Sequence, residues 1–229
     1  MSGPAGEVTR KALVGLLELV LVLGLLIFVP AGTMRFVEGW VFLALFGGSS
    51  LAITAYLVKN DPALLERRTH AGPAAEKETT QKVIQGFASL AFLSTIVVPA
   101  LDHRLHGTRL PPFAIAAGDL LVVLGFAIVF LVFRENTFTS ALIEVAAEQR
   151  VIDSGPYAVV RHPMYVGGLV LVAGIPLALG SWIGLASLVP FVAVIVWRLL
   201  DEERFLSTHL TGYPEYCAKT RYRLIPHVW

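Results

Sequence analysis

The chain has 229 residues, and its formal net charge of +1 at pH 7 makes it neither strongly basic nor strongly acidic. Hydrophobic residues make up 55% of it and charged residues only 15%, whereas an ordinary soluble domain carries about 25% charged residues. This composition argues against a soluble domain and predicts a protein embedded in the lipid bilayer, with no nucleic-acid partner. The single cysteine, Cys217, excludes an internal disulfide and any multi-cysteine zinc site.

Six apolar runs are long enough, or nearly so, to cross a hydrocarbon core that requires about 20 helical residues. The last two runs are short and are separated only by Gly180-Ser181, which predicts a tight helical hairpin. We therefore expect an all-α fold, a polytopic membrane bundle of about six transmembrane helices. The runs lie at about residues 12–30, 38–58, 83–100, 114–133, 164–180 and 182–200.

The distribution of basic residues predicts the orientation in the membrane. Of the 18 lysines and arginines, 15 fall on one side of the predicted spans, and the other three are Arg35, Arg104 and Arg109. Because basic residues are retained in the cytoplasm, we expect both termini and the loop 134–163 to be cytosolic. The chain then divides into membrane scaffold helices with about four spans, residues 1–133, and a C-terminal module with a cytosolic loop, residues 134–229.

Several polar features of the scaffold permit two interpretations. Pro62 is expected in the first turn of a short amphipathic helix, and residues 70–80 are expected to form an exposed loop. Glu18 and Asp119 lie inside apolar runs, where a carboxylate is either functional or bonded to a neighbouring helix. His103 and His106 with Asp102 have too few ligands for a convincing metal site, so we predict a solvated loop and no metal.

The segment 154–168 combines turn residues, aromatic residues and charge directly before an apolar run. Gly155-Pro156 and His162-Pro163 each contain a proline that fixes its own φ and restricts the preceding residue. Further on, Arg198 and Glu202 are four residues apart and share one face of a helix. They form either an ordinary ion pair at a helix end or a working pair that faces the loop.

These motifs together resemble a family of membrane enzymes. The pattern G-P-Y-x-x-x-R-H-P-x-Y-x-G at 155–167, R-x-x-x-E-E at 198–203, G-Y-x-x-Y at 212–216 and I-P at 225–226 occur in this order. They are similar to the isoprenylcysteine carboxyl methyltransferase and phospholipid methyltransferase families, which use S-adenosylmethionine. The resemblance covers about residues 134–229, which it identifies as a catalytic module.

The resemblance implies roles for individual residues. Arg198 would hold the methyl acceptor, and Arg198 and Glu202 would be the catalytic residues. Aromatic faces and a carboxylate suit the sulfonium of the cofactor, and an apolar slot suits its adenine. The residues implied to bind S-adenosylmethionine are Gln149, Arg150, Val151, Ile152, Tyr157, His162, Pro163, Met164, Tyr165 and Glu202.

The implied function is methyl transfer from S-adenosylmethionine to a lipophilic acceptor at the cytosolic membrane face. Isoprenylcysteine carboxyl O-methylation is the first candidate. A phospholipid amine or a small thiol is an alternative acceptor. An NADPH-dependent sterol-type membrane reductase, whose C-terminal module is similar, is a second enzyme class, and a non-enzymatic membrane protein such as a transporter is a third possibility.

Overall fold

The computed structural model describes residues 4–69, 79–107, 110–139 and 150–229. All regular secondary structure in these ranges is helical, which confirms the all-α fold. Two short 3₁₀ turns, Gly155–Ala158 and Ile183–Ser187, precede the sixth and seventh helices. The helices are α1 Pro4–Ala31, α2 Val37–Asn60, α3 Pro62–Thr69, α4 Thr79–Leu105, α5 Pro112–Glu135, α6 Pro163–Ala178, α7 Leu188–His209 and α8 Tyr213–Lys219.

Five helical segments are long and apolar enough to cross a bilayer. They have mean hydropathies between 1.8 and 2.9 and comprise α1, α2, α4, α5 and the continuous stretch Ile183–His209. The apolar helix α6 has only 16 residues, or about 24 Å at 1.5 Å per residue, which is less than the roughly 30 Å of a hydrocarbon core. The predicted count of six spans is therefore approximate, with five full-length segments and one shorter one.

Prolines begin several of these helices. α3, α5 and α6 start at Pro62, Pro112 and Pro163, because the first helical residue needs no amide hydrogen bond and its φ suits the proline ring. The Asp61 carboxylate also accepts a hydrogen bond of 2.9 Å from the backbone amide of Leu64. The short helix predicted from Pro62 is thereby confirmed. The predicted loop 70–80 falls largely outside the described residues.

α5 and α6 pack closely through four glycines. Gly118 and Gly125 on α5, and Gly167 and Gly174 on α6, are each seven residues apart. A Cβ atom on Gly174 would lie 2.6 Å from the carbonyl oxygen of Gly118, and one on Gly125 would lie 2.5 Å from the backbone nitrogen of Leu171. Small residues allow this close approach, which supplies van der Waals contact where lipid gives no hydrophobic driving force.

The predicted hairpin of the last two apolar runs is tight only at its turn. Gly180 has a φ of +72°, a left-handed conformation that glycine adopts without strain. Beyond this turn, α6 packs mainly against α5, and α7 packs mainly against α4. α6 and α7 make little contact with each other beyond the turn, because the glycine surface of α6 packs against α5.

We expect Gly174→Ala to lower the free energy of unfolding by about 1–3 kcal/mol, the usual range for an overpacked site. Gly168→Ala is the matched control, because a Cβ there meets nothing within 4 Å. Thermal unfolding of both variants in the same detergent gives the comparison. Equal midpoints for the two variants would contradict the tight α5–α6 contact.

The end of the bundle near Asp102 differs from the predicted solvated loop. Asp102 lies in the last turns of α4 and is only 3% exposed. Its carboxylate accepts a 2.6 Å hydrogen bond from the Ser181 hydroxyl and lies 3.3 Å from Nδ1 of His106. His103 instead stacks on Phe36 with ring centroids 4.0 Å apart. Asp102 therefore ties α4 to the α6–α7 turn, and the described ranges contain no group of three or more residues suited to a metal ion.

Candidate active site

A cavity of about 510 Å³ lies at the opposite end of the bundle, where α5 ends and α6 begins. Its wall is formed by residues of α3, α4, α6 and α7. Residues in and around the 3₁₀ turn Gly155–Ala158 and residues near the C-terminus complete it. The N-terminal turns of α1 pack near this end, because Val8 and Ala12 join a cluster with Leu64, Phe133 and Met164.

The loop before α6 is held in place from two sides. Gly155 has a φ of +55°, and a Cβ atom there would lie 2.7 Å from the Glu135 carboxylate at the end of α5. Asn136 donates a 3.0 Å hydrogen bond to the hydroxyl of Tyr157, and the carbonyl of Tyr157 accepts one of 2.8 Å from Tyr216. Burial raises the pKa of Tyr157 to about 12, so this side chain remains a neutral hydroxyl in the cavity wall.

Glu203 connects this loop to the C-terminal segment. Its carboxylate lies 3.0 Å from Nη1 of Arg161, 3.2 Å from Nε2 of His162 and 2.8 Å from Nε of Arg223. The backbone amides of Arg161 and His162 donate to the carbonyls of Tyr222 and Arg223 at 2.8 and 3.1 Å. A single buried carboxylate thus pairs with two guanidinium groups and orients the imidazole.

The neighbouring Glu202 faces the cavity instead. Its Oε2 accepts a 2.5 Å hydrogen bond from the hydroxyl of Tyr165 on α6, and both residues line the cavity. Consecutive helical residues point about 100° apart because a helix has 3.6 residues per turn. The adjacent carboxylates therefore occupy separate environments.

Arg198 projects from α7 into the same cavity and is only 7% exposed. Its Nη1 donates to the side-chain carbonyls of Gln85 at 2.7 Å and Gln81 at 3.2 Å. Both glutamines belong to α4. The amide nitrogen of Gln81 in turn donates to the carboxylate of Asp201, so α4 and α7 are joined by a polar network around the guanidinium.

Below Arg198 the cavity becomes apolar. Ala88 and Phe92 on α4 face Phe191 and Ile195 on α7, and Phe92 and Phe191 have ring centroids 6.5 Å apart. Arg198 and Phe191 are seven residues apart, which corresponds to about 10 Å along the helix. The cavity therefore has a polar, aromatic end at the loops and an apolar cleft between α4 and α7.

Most of the residues singled out from the sequence lie together in this cavity. Pro163 is buried at the start of α6 and is not part of the lining, and Gln149 lies outside the described residues. The others form part of the wall: Arg150, Val151, Ile152, Tyr157, His162, Met164, Tyr165, Arg198 and Glu202.

The roles implied from the sequence did not include three further lining residues, Gln85, Arg68 and Tyr213. Gln85 belongs to a helical face with Ala88, Ser89 and Phe92, and its spacing of i, i+3, i+4 and i+7 was the available signal. Arg68 lies in α3 with its guanidinium 5.2 Å from the Phe133 ring, and burial lowers its pKa. Tyr213 is 4% exposed, and its buried hydroxyl has no hydrogen-bond partner among the described residues.

Comparison with known proteins finds a family that is similar to the second half of the chain. The model of a family described as phospholipid methyltransferase matches residues 113–211. The similarity to the phospholipid methyltransferase family is therefore confined to this segment, about two-fifths of the chain. The match begins in α5 and includes the loops, α6 and α7. It leaves α3 and α4 outside, although both of these helices contribute to the cavity.

Two curated proteins are similar to parts of this chain. The Delta(14)-sterol reductase TM7SF2 of Mus musculus is 32% identical over 94 residues, which are 38% of this chain and 22% of that protein. The cobalt-zinc-cadmium resistance protein CzcN of Cupriavidus metallidurans is 30% identical over 122 residues, 51% of each protein. The chain thus spans about a fifth and about half of the lengths of these relatives.

Proposed function

We propose that the chain transfers a methyl group from S-adenosylmethionine to a lipophilic acceptor at the membrane surface. The observation that supports this is the form of the cavity, in which a polar, aromatic end continues into an apolar cleft between two membrane helices. Arg198 lies between the two parts. Such an arrangement allows a water-soluble cofactor and a membrane-dissolved acceptor to meet at one point.

The polar end fits the cofactor. Val151 and Ile152 offer an apolar surface for an adenine, and Tyr157, Tyr165 and Glu202 offer aromatic and anionic groups for a sulfonium. The buried Tyr213 hydroxyl lacks a partner among the described residues, and a buried polar group of this kind calls for a ligand or a water molecule. S-adenosylmethionine supplies an electrophilic methyl group when it is bound.

The apolar cleft and Arg198 fit the acceptor. We assign the lipophilic part of the acceptor to the cleft formed by Phe92, Phe191 and Ile195, and its reacting head group to Arg198. A guanidinium can hold a carboxylate with two parallel hydrogen bonds. An anionic carboxylate requires no general base, whereas an ammonium must first lose a proton. These features favour isoprenylcysteine carboxyl O-methylation over methylation of a phospholipid amine or a small thiol.

We place the cavity on the cytosolic side of the membrane. The N-terminal turns of α1 and the C-terminal segment both pack near the cavity, and 15 of the 18 basic residues belong to this side. The domain division follows the same pattern, with residues 1–133 as membrane scaffold and residues 134–229 as catalytic module. The scaffold nevertheless contributes Arg68 and Gln85 to the cavity.

An NADPH-dependent membrane reductase is the second candidate. The relative named as a sterol reductase favours it, and four arginines line the cavity, namely Arg68, Arg150, Arg161 and Arg198. Arg161 already pairs with Glu203 at 3.0 Å, and Arg198 is held by two glutamines. These contacts make the arginines less suited to a phosphate than their number implies.

Calorimetric titration of the detergent-solubilised protein tests both candidates. We expect S-adenosylmethionine to bind and NADPH not to bind. Tyr157→Ala should weaken S-adenosylmethionine by about tenfold to hundredfold, because the loss of a hydrogen-bonded aromatic wall in a desolvated site costs about 1–3 kcal/mol. Tyr222→Ala is the matched control, since Tyr222 is not among the residues that line the cavity. Binding of NADPH alone would instead establish the reductase.

A further inference from the structure

A second cavity lies between α1, α2 and α5, with two residues of α3, Leu65 and Arg68, in its wall. Its volume is about 920 Å³, which is larger than that of the candidate active site. Val14, Gly15 and Leu19 of α1 line it and are exposed, so the cavity is open along this helix. We call it the α1 groove. The α1, α2 and α3 helices that form much of it lie outside the segment matched by the family.

Most of the wall of the α1 groove is apolar. Ile53 and Leu57 of α2 line it together with Phe126, Val129 and Phe133 of α5. The three α5 residues are spaced three and four apart, so they lie on one face of that helix. A wall of this kind offers few hydrogen bonds to a ligand, and it follows helices that are long enough to cross a bilayer. It is therefore suited to a hydrocarbon chain.

The charged residues of the groove are separated along its length. Arg10, Lys11 and Arg68 line the end where the first turns of α1 pack on α3, whereas Glu18 lies further along α1. The eight residues from Arg10 to Glu18 correspond to about 12 Å along the helix. The groove thus has a basic end, and its carboxylate lies in the apolar part.

The two basic residues of α1 can reach a ligand at this end. Lys11 pairs with Glu7 at 2.9 Å, but the two side chains are 63% and 56% exposed. An ion pair between exposed groups is weak, so the ammonium can exchange Glu7 for a ligand. Arg10 is also exposed, and a guanidinium can hold a phosphate with two parallel hydrogen bonds.

We propose that the α1 groove binds one anionic membrane lipid, with its phosphate at Arg10 and Lys11 and an acyl chain between α2 and α5. Basic pockets between transmembrane helices at the membrane surface attract anionic head groups in this way. A free phosphate would leave the apolar wall unused, and a cationic amphiphile would meet like charges at the basic end. The lipid is a resident ligand and not a methyl acceptor, so this inference goes beyond the proposed methyl transfer and does not depend on it.

Native mass spectrometry of the full chain in detergent tests the basic end, because it counts the lipids that each protein retains. Dioleoylphosphatidylglycerol is the anionic probe, and its head group has no amine, thiol or carboxylate to be methylated. Dioleoylphosphatidylcholine has the same chains and no net charge. The double variant Arg10→Gln/Lys11→Gln removes two cations from the groove. Lys59→Gln/Lys82→Gln is the matched control, because it removes the same charge from exposed residues that line neither cavity.

A second pair of variants tests the apolar part. Gly15 and Gly48 are exposed residues of α1 and α2, and a Cβ atom on either meets nothing within 4 Å. Gly15 lines the groove and Gly48 does not. Gly15→Phe therefore places a ring in the groove, whereas Gly48→Phe places the same ring outside it. Arg68 is left unchanged in all variants, because it lines both the groove and the candidate active site.

We expect the wild type to retain one phosphatidylglycerol in preference to phosphatidylcholine. Arg10→Gln/Lys11→Gln should weaken phosphatidylglycerol by about 30-fold, or about fivefold for each basic residue, and leave phosphatidylcholine unchanged. Gly15→Phe should weaken both lipids by about tenfold, as expected for an overfilled site. Both control variants should match the wild type, and all variants should bind S-adenosylmethionine as the wild type does.

Several results would overturn the inference. One is equal retention of the two lipids by the wild type, and another is an equal loss in the Lys59→Gln/Lys82→Gln control, which would indicate diffuse charge attraction. A greater loss in Glu18→Gln than in Arg10→Gln/Lys11→Gln would point to a cationic ligand instead. Displacement of phosphatidylglycerol by N-acetyl-S-farnesylcysteine would make the groove part of the acceptor site. Failure of the wild type to bind S-adenosylmethionine would remove the proposed function, whereas retained phosphatidylglycerol in that same protein would still support the lipid site.

Discussion

Replacing Arg198 by lysine is expected to lower methyl transfer by about 100-fold while S-adenosylmethionine binds normally. Lysine keeps the positive charge but lacks the planar fork that holds a carboxylate with two hydrogen bonds. It also loses the two contacts from Nη1 to Gln81 and Gln85. A displacement of the acceptor by about 1 Å is enough for a rate loss of this size.

Arg198→Leu should lower turnover at least as far as Arg198→Lys, and Arg204→Lys is the control. Arg204 lies on the same helix but is exposed and does not line the cavity. Single-turnover kinetics with N-acetyl-S-farnesylcysteine, combined with calorimetry for the cofactor, separates positioning from binding. Near-normal turnover in both Arg198 variants would show that the residue forms only an ordinary contact at a helix end.

The two adjacent carboxylates on α7 are expected to respond differently when each is replaced by glutamine. Glu203→Gln should lower the free energy of unfolding by about 3 kcal/mol, because it leaves two guanidinium groups without their shared anion. This figure is at the lower end for a buried pair, since the Arg223 side chain is 30% exposed and water screens part of its charge.

Glu202→Gln should instead weaken S-adenosylmethionine by about tenfold with little change in thermal stability, since its carboxylate lines the cavity beside Tyr165. The loss of one charged contact to a cation accounts for an effect of this size. Thermal unfolding gives the stability of each variant, and calorimetry gives the affinity of each variant for S-adenosylmethionine. The division of roles fails if both glutamine variants lose stability and cofactor affinity to the same extent.

Hydropathy was sufficient to predict the long apolar helices, because the cost of placing polar groups in lipid acts on each segment separately. The apolar runs at 12–30 and 38–58 correspond to α1 and α2, and Pro62 begins α3 as expected. Most residues that the family resemblance implied at 150–165 and 198–202 lie in the wall of one cavity, with Pro163 as the exception. These segments are compact in sequence, so their turn residues and helical spacing already place the side chains.

The sequence by itself determined the all-α membrane fold, the approximate number of spans and the family motifs around Arg198 and Glu202. Only the tertiary structure decided that Glu203 binds Arg161, His162 and Arg223, while Glu202 faces the cavity. It also decided that Gln81 and Gln85, more than 110 residues before Arg198, hold its guanidinium. The physical reason is that helix spacing defines which residues share a face, whereas packing between helices defines what that face meets.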